Sequence, residues 1–130
     1  MARILLVDDD DDGSEAVVRF LARFSHEVEH VPGGAQAIKA LTRRKPDAVI
    51  LDLRMPQMDG LSFLEILRSY LSWRDIPVIL RSAHLDPIDV ERARALGVRR
   101  TFEKAGAPLL AVTKALDELL AAASTQPLQP

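Results

Sequence analysis

The chain has 130 residues, enough for one ordinary domain with a single two- or three-layer core. Hydrophobic residues make up 48% and charged residues 28%, a globular balance that excludes wholesale disorder, and a net charge of −2 provides no overall field for nucleic acid or an anionic membrane. There is no cysteine, which excludes disulfides, thiolate catalysis and zinc–thiolate sites.

The opening "MARILLVDD" meets aspartate after four apolar residues, too short a run for a signal peptide or a membrane span, so the expected location is the cytoplasm. "RILLV" (3–7) predicts a first strand, and five aspartates (8–12) follow it. A helix over 14–25 would take Ser14 as its N-cap and turn Val17, Phe20, Leu21 and Phe24 inward. "VEHV" (28–31) predicts a second strand, and Ala37, Ile38 and Leu41 the inner face of a helix over 34–44. "AVILDL" (48–53) is a third strand, followed by a helix over 60–71 with the stripe Leu61, Leu64, Leu67 and Leu71. "PVILRS" (77–82) is a fourth, and the next helix starts at Asp86-Pro87, a cap followed by proline in the first turn, and stops before Gly97. "VRRTFE" (98–103) is a weaker fifth strand, ahead of a helix from about 108 to 122 with Leu109, Val112, Leu116 and Leu119 on one side. The polar, aperiodic end of the chain reads as a flexible tail over 123–130, which leaves 1–122 as the single domain.

Strand and helix alternate five times, and the first, third and fourth strands are almost continuously apolar. That pattern predicts an α/β fold, a doubly wound parallel sheet with helices on both faces. In the order 2-1-3-4-5 the first and third strands are neighbours, and the functional crevice lies at their carboxyl ends. Asp8 and Asp9 end the first strand and Asp52 the third, so their carboxylates converge. Oxygen ligands with no histidine or cysteine among them suit Mg²⁺. Asp10, Asp11 and Asp12 read as a solvated acidic turn that also favours the helix start. Ser82 at the end of the fourth strand offers a hydroxyl, and Lys104 after the fifth offers a point charge. Carboxylate, metal, hydroxyl and ammonium together suit phosphoryl transfer, where positioning and charge neutralisation supply most of the catalysis.

"LLVDDD", "VILDLRMPQMDG", "IPVILRSAH" and "FEK" occur in the order and spacing of the response-regulator receiver domain of two-component signalling, and the chain resembles that family over about residues 2 to 122. The resemblance implies a flavodoxin-like (βα)5 fold, with Asp52 accepting a phosphoryl group from a sensor histidine kinase or phosphotransfer protein. It implies Mg²⁺ held by Asp9, Asp52 and the backbone carbonyl of Arg54, with Asp8 on a metal-bound water. Ser82 and Lys104 would touch the phosphoryl oxygens, and Pro56 and Gly60 fit the family's turn after the acceptor. Such a domain is not an enzyme beyond its own phosphorylation and dephosphorylation. Standing alone, it would signal through a downstream protein or onward phosphotransfer, without direct nucleic-acid or membrane contact. The surface of the last two helices and fifth strand would carry the output and is open to homodimerisation.

Three positions depart from the family. Lys104 is followed by Ala105 where Lys-Pro is usual, so a trans bond and a looser "KAGAP" loop are expected. Thr101 stands where many receivers carry a switching aromatic, which would move the switch elsewhere, such as to the helix over 86–96. Arg81 occupies a usually apolar place and is expected to reach solvent or an acidic partner. Arg54 and His84 flank the acceptor, and a bulky Arg54 would shield the phosphoryl group. His26 and His30 show no companion ligands, and Trp73 is expected to pack over the loop before the fourth strand. Two other readings stand against the first: a pseudo-receiver that binds a partner without phosphorylation, and a Mg²⁺-dependent phosphohydrolase. Intact Asp9, Asp52, Ser82 and Lys104 speak against the former, and the want of a substrate-capping domain against the latter.

Overall fold

The computed structural model describes residues 1–124. Five strands alternate with five helices: β1 Arg3–Val7, α1 Asp11–Ala22, β2 Glu27–Val31, α2 Gly34–Arg43, β3 Ala48–Leu51, α3 Gly60–Ser69, β4 Val78–Ser82, α4 Pro87–Ala95, β5 Arg100–Glu103 and α5 Leu109–Ser124. All pairings are parallel, and the strand order is β2-β1-β3-β4-β5, as the alternation of elements predicts. Helix α5 runs two residues past the expected boundary at 122; the rest of the expected tail lies outside the described residues. No helix among the described residues is long and apolar enough to cross a membrane.

The central strands are covered on both sides, which explains their unbroken apolar runs. Leu5, Val7, Val49, Leu51, Val78 and Leu80 face α2, α3 and α4, where Ala37, Leu41, Phe63, Leu64, Leu67 and Ala93 close the layer. Ile4, Leu6, Ala48, Ile50 and Ile79 face the other way, against Val17 and Leu21 of α1 and Val112, Ala115 and Leu116 of α5. Each large side chain buried here contributes about 1.5–3 kcal/mol. Trp73 packs partly buried against the first of these layers, close to where it was expected.

Several boundaries differ from the sequence reading, each for a local reason. Helix α1 starts three residues earlier, because the Asp10 carboxylate accepts from the Gly13 N–H and caps it. Ser14 is therefore not the cap but a fully buried residue of the helix interior. Asp11 and Asp12 fall in the first turn, where acidic residues favour the helix dipole. Phe24 and Leu71 lie beyond the ends of α1 and α3 and are 42% and 75% exposed, so neither joins a core stripe. Strand β3 stops at Leu51. Helix α4 starts and stops where expected, with the Asp86 carboxylate accepting from the Ile88 N–H, but Ala93 is its one buried residue.

Candidate functional site

The register pairs Val7 with Leu51, so Asp8 and Asp52 leave adjacent strands side by side at the carboxyl edge of the sheet. Backbone bonds continue the ladder past the strand ends: the Asp52 N–H donates to Val7 O (2.9 Å) and the Asp8 N–H to Val31 O (3.1 Å). One carboxylate oxygen each from Asp8, Asp9 and Asp52 lies within 4.8 Å of the others. Asp8 and Asp52 are buried, whereas Asp9 is exposed at the rim.

Three other predicted residues meet this cluster. Lys104 Nζ stands 2.8 Å from Asp8 Oδ2 and 3.4 Å from Asp52 Oδ2. Ser82 Oγ donates to Asp52 Oδ1 at 2.7 Å, and the Arg54 N–H donates more weakly to the same oxygen at 3.4 Å. Asp52 thus has donors on both oxygens, fixing the orientation of its carboxylate.

The "KAGAP" loop has no cis bond, as expected among the described residues. Lys104 N–H donates to Ser82 O (2.9 Å), and the N–H groups of Gly106 and Ala107 both donate to Glu103 O. The ammonium is therefore anchored by a hydrogen-bonded turn.

Burial raises the pKa of Asp8 above the usual carboxylate range, and the charge on Asp52 adds to this; hydrogen bonds from Lys104 and from the Asp10 N–H only partly oppose it. Burial alone would lower Lys104, but its pairing with Asp8 and Asp52 outweighs that and holds it above the ordinary lysine value. The two shifts differ in origin: burial dominates at Asp8, whereas pairing with Asp8 and Asp52 dominates at Lys104. The excess of carboxylates over ammonium, with no nitrogen or sulfur donor in the cluster, fits a hard divalent cation such as Mg²⁺.

Behind the acceptor the chain passes unusually close to itself. The Gly60 N–H donates to Leu53 O at 2.8 Å, and a Cβ at Gly60 would sit 2.3 Å from Asp52 O. Only glycine admits that approach. Asp59 caps α3 by accepting from the Ser62 N–H, which holds the loop from the other end. The Arg54 guanidinium turns toward α4, where Nη2 lies 3.7 Å from Asp89 Oδ2.

Two contacts escaped the sequence reading. His30 Nε2 lies 2.7 Å from the backbone oxygen of Asp8, and His26 Nε2 lies 3.0 Å from Asp117 Oδ1 of α5. The parallel register, which pairs His30 with Leu6, carries His30 toward the end of β1. Arg81 is only 9% exposed; its Nε and Nη1 are buried with no hydrogen-bond partner, Nη2 alone reaches the surface, and no acidic side chain pairs with it among the described residues.

A family model described as the response regulator receiver domain matches residues 4–115. The chain belongs to this family. Among curated relatives, this receiver domain is 40% identical over 81 residues to the transcriptional regulatory protein PrrA of Mycobacterium tuberculosis, covering 62% of the chain and 34% of that protein. It is 36% identical over 119 residues to the sensory/regulatory protein RpfC of Xanthomonas campestris, covering 90% of the chain and 16% of that protein. Among solved structures it superposes on the signal receiver domain of a signal transduction histidine kinase from Syntrophus aciditrophicus with a TM-score of 0.87 and 28% identity, over 100% of this chain and 98% of that one. The chain spans about a third of the length of the mycobacterial regulators it matches. Its receiver fold is the flavodoxin-like one with strand order 2-1-3-4-5.

Proposed function

We propose that Asp52 accepts a phosphoryl group from a phosphohistidine on a sensor histidine kinase or phosphotransfer protein, and that the modified domain signals to a protein target. The observation that carries this reading is the setting of Asp52. It is buried at a strand tip, held by Ser82 Oγ on one oxygen and Lys104 Nζ on the other, beside Asp8 and Asp9.

A carboxylate oxygen of Asp52 attacks phosphorus; the new P–O bond forms as the donor's P–N bond breaks, and the imidazole departs. Ser82 and Lys104 already donate to Asp52, and they are placed to transfer those donations to phosphoryl oxygens as they arrive. Asp9 and Asp52, with the Arg54 backbone carbonyl, would hold Mg²⁺, and Asp8 would hold a water on it. The ion supplies charge neutralisation between carboxylate and phosphoryl oxygens. Water later attacks phosphorus and releases phosphate, restoring the carboxylate. The acyl phosphate carries about −1.5 to −2 charges where the carboxylate carried one, so the corner gains up to about one negative charge, which acts by recruiting donors and repelling acids. The output surface is α4, β5 and α5, through a downstream protein or a second copy of the domain. The workplace is the cytoplasm, with no direct nucleic-acid or membrane contact.

The test is incubation with Mg²⁺ and acetyl phosphate, read by mass spectrometry of the intact protein. Wild type gains one acid-stable, alkali-labile phosphoryl group and Asp52→Asn gains none. No labelling by acetyl phosphate or any kinase would favour a pseudo-receiver, and multiple turnover of a phosphate ester would favour a hydrolase.

A further inference from the structure

His30 has no role in the chemistry proposed for Asp52. It stands in β2, an edge strand paired with β1 alone, and its register partner Leu6 lies two residues before Asp8. From there Nε2 comes within 2.7 Å of the Asp8 backbone oxygen. A carbonyl only accepts, so Nε2 is the donor and carries a proton. Strand β1 has ended at Val7, and beyond it come Asp8, Asp9 and the cap Asp10. Asp8 is tied to β2 through its N–H, which donates to Val31 O, and again through its carbonyl. Asp9 is held differently. It is exposed, and among the described residues no hydrogen bond or ion pair holds its carboxylate. Its place in the cluster is therefore set by its backbone. The Asp8–Asp9 peptide is one rigid plane, so fixing the Asp8 oxygen fixes the Asp9 nitrogen and α-carbon with it.

We infer that His30 is a positioning residue for the metal corner: its Nε2–H clamps the peptide between Asp8 and Asp9 and so presents the Asp9 carboxylate toward Asp8 and Asp52. This rests on the reading of Asp9 and Asp52 as holders of Mg²⁺. Like charges within 4.8 Å push the exposed member outward when no ion is bound. Magnesium demands near-ideal octahedral geometry, so any swing of Asp9 away from its partners costs affinity. The clamp opposes that swing through the main chain, without adding another group among the ligands. Hydrogen-bond partners that orient metal ligands are typically worth about 10–100-fold in affinity. His30 grips the backbone rather than the ligating carboxylate, which puts it at the low end of that range.

The experiment uses the full chain at one fixed pH. Heteronuclear NMR of the His30 ring nitrogens in EDTA reads the bond directly and needs no variant: a protonated Nε2 is expected, and a bare Nε2 overturns the inference. Titration with Mn²⁺, a paramagnetic stand-in for Mg²⁺, followed by EPR of the free ion, then compares wild type, His30→Leu and His30→Gln, each checked for folding by urea unfolding in EDTA. His30→Leu keeps bulk without a donor and is expected to bind about tenfold more weakly. His30→Gln carries an amide N–H at similar reach and is expected to stay within about threefold of wild type. Unchanged affinity in His30→Leu overturns the inference, and so does equal weakening in both variants, the signature of a packing role. If wild type binds no Mn²⁺, the metal reading of the corner falls and the role of His30 with it. If wild type binds and His30→Leu binds equally well, the metal corner stands and only the role of His30 is lost.

Discussion

Removing the exposed member of the acidic cluster should make the metal-free protein more stable. Asp9 has ligand oxygens within 4.8 Å of Asp8 and Asp52. At that separation one pair of like charges repels by about 3.5 kcal/mol at an effective dielectric of 20 and by about 0.9 kcal/mol in water. Asp9 is exposed, so the lower figure governs, giving about 2 kcal/mol for two pairs. Attraction between Asp9 and Lys104 offsets roughly half of this, since the ammonium sits on the same two partners. Asp9→Asn should therefore gain about 1 kcal/mol, or roughly 3 °C in Tm for a chain of this size. The assay is thermal and urea unfolding at low ionic strength, in EDTA and in millimolar Mg²⁺. Wild type should rise in Mg²⁺ by about 1.4 kcal/mol at ten times the dissociation constant, and the variant should lose that response. The gain in EDTA should shrink at high salt. A variant less stable than wild type in EDTA, or one with a full Mg²⁺ response, would refute the electrostatic account of the corner.

Other outcomes follow from the same geometry. Ser82→Ala removes a buried bond to a charged acceptor and should cost about 1.5–3 kcal/mol in urea unfolding, with slower labelling by acetyl phosphate. Unchanged stability would mean that the bond does not form in solution. Gly60→Ala puts a methyl group against the backbone of Asp52 and Leu53 and should cost about 3 kcal/mol, with lower labelling even where the protein stays folded. For Asp8, the folded pKa lies above its ordinary value near 3.8, so the folded state binds the proton more tightly. Between those two values its contribution to stability increases as pH falls and is lost as pH rises through the folded pKa. In EDTA, the stability difference between wild type and Asp8→Asn should therefore move in favour of wild type on acidification from neutral pH; a flat difference would contradict the shift.

The fold was legible because its strands are short apolar runs, separated by amphipathic segments that end in recognisable caps. Asp86-Pro87 and Gly97 bracket α4 closely. Where several residues could cap equally well, the reading slipped: among five consecutive aspartates and a serine, the packing of Val17 and Leu21 against the sheet decides that Asp10 takes the role. The convergence of Asp8, Asp9 and Asp52 was legible from strand order alone, since parallel neighbours deliver their terminal residues to one edge. Contacts set by register were not. His30 on Asp8 and the isolation of Arg81 depend on which residue faces which across strands, and one-dimensional spacing carries no such information. The turn bonds after Lys104, from the Gly106 and Ala107 N–H groups to Glu103 O, are likewise invisible in one-dimensional spacing.

With Ala93 as its sole buried residue, α4 is the helix with the least apolar anchorage. Such a segment opens at a free energy well below that of global unfolding, so its amides should exchange with deuterium ahead of those in α3 and α5. A few kcal/mol delivered at the neighbouring strand tips is enough to redistribute the populations of a helix held this lightly. On the proposed function, α4 is the element expected to answer phosphorylation without an aromatic lever at Thr101, because it is the helix held by the fewest buried side chains.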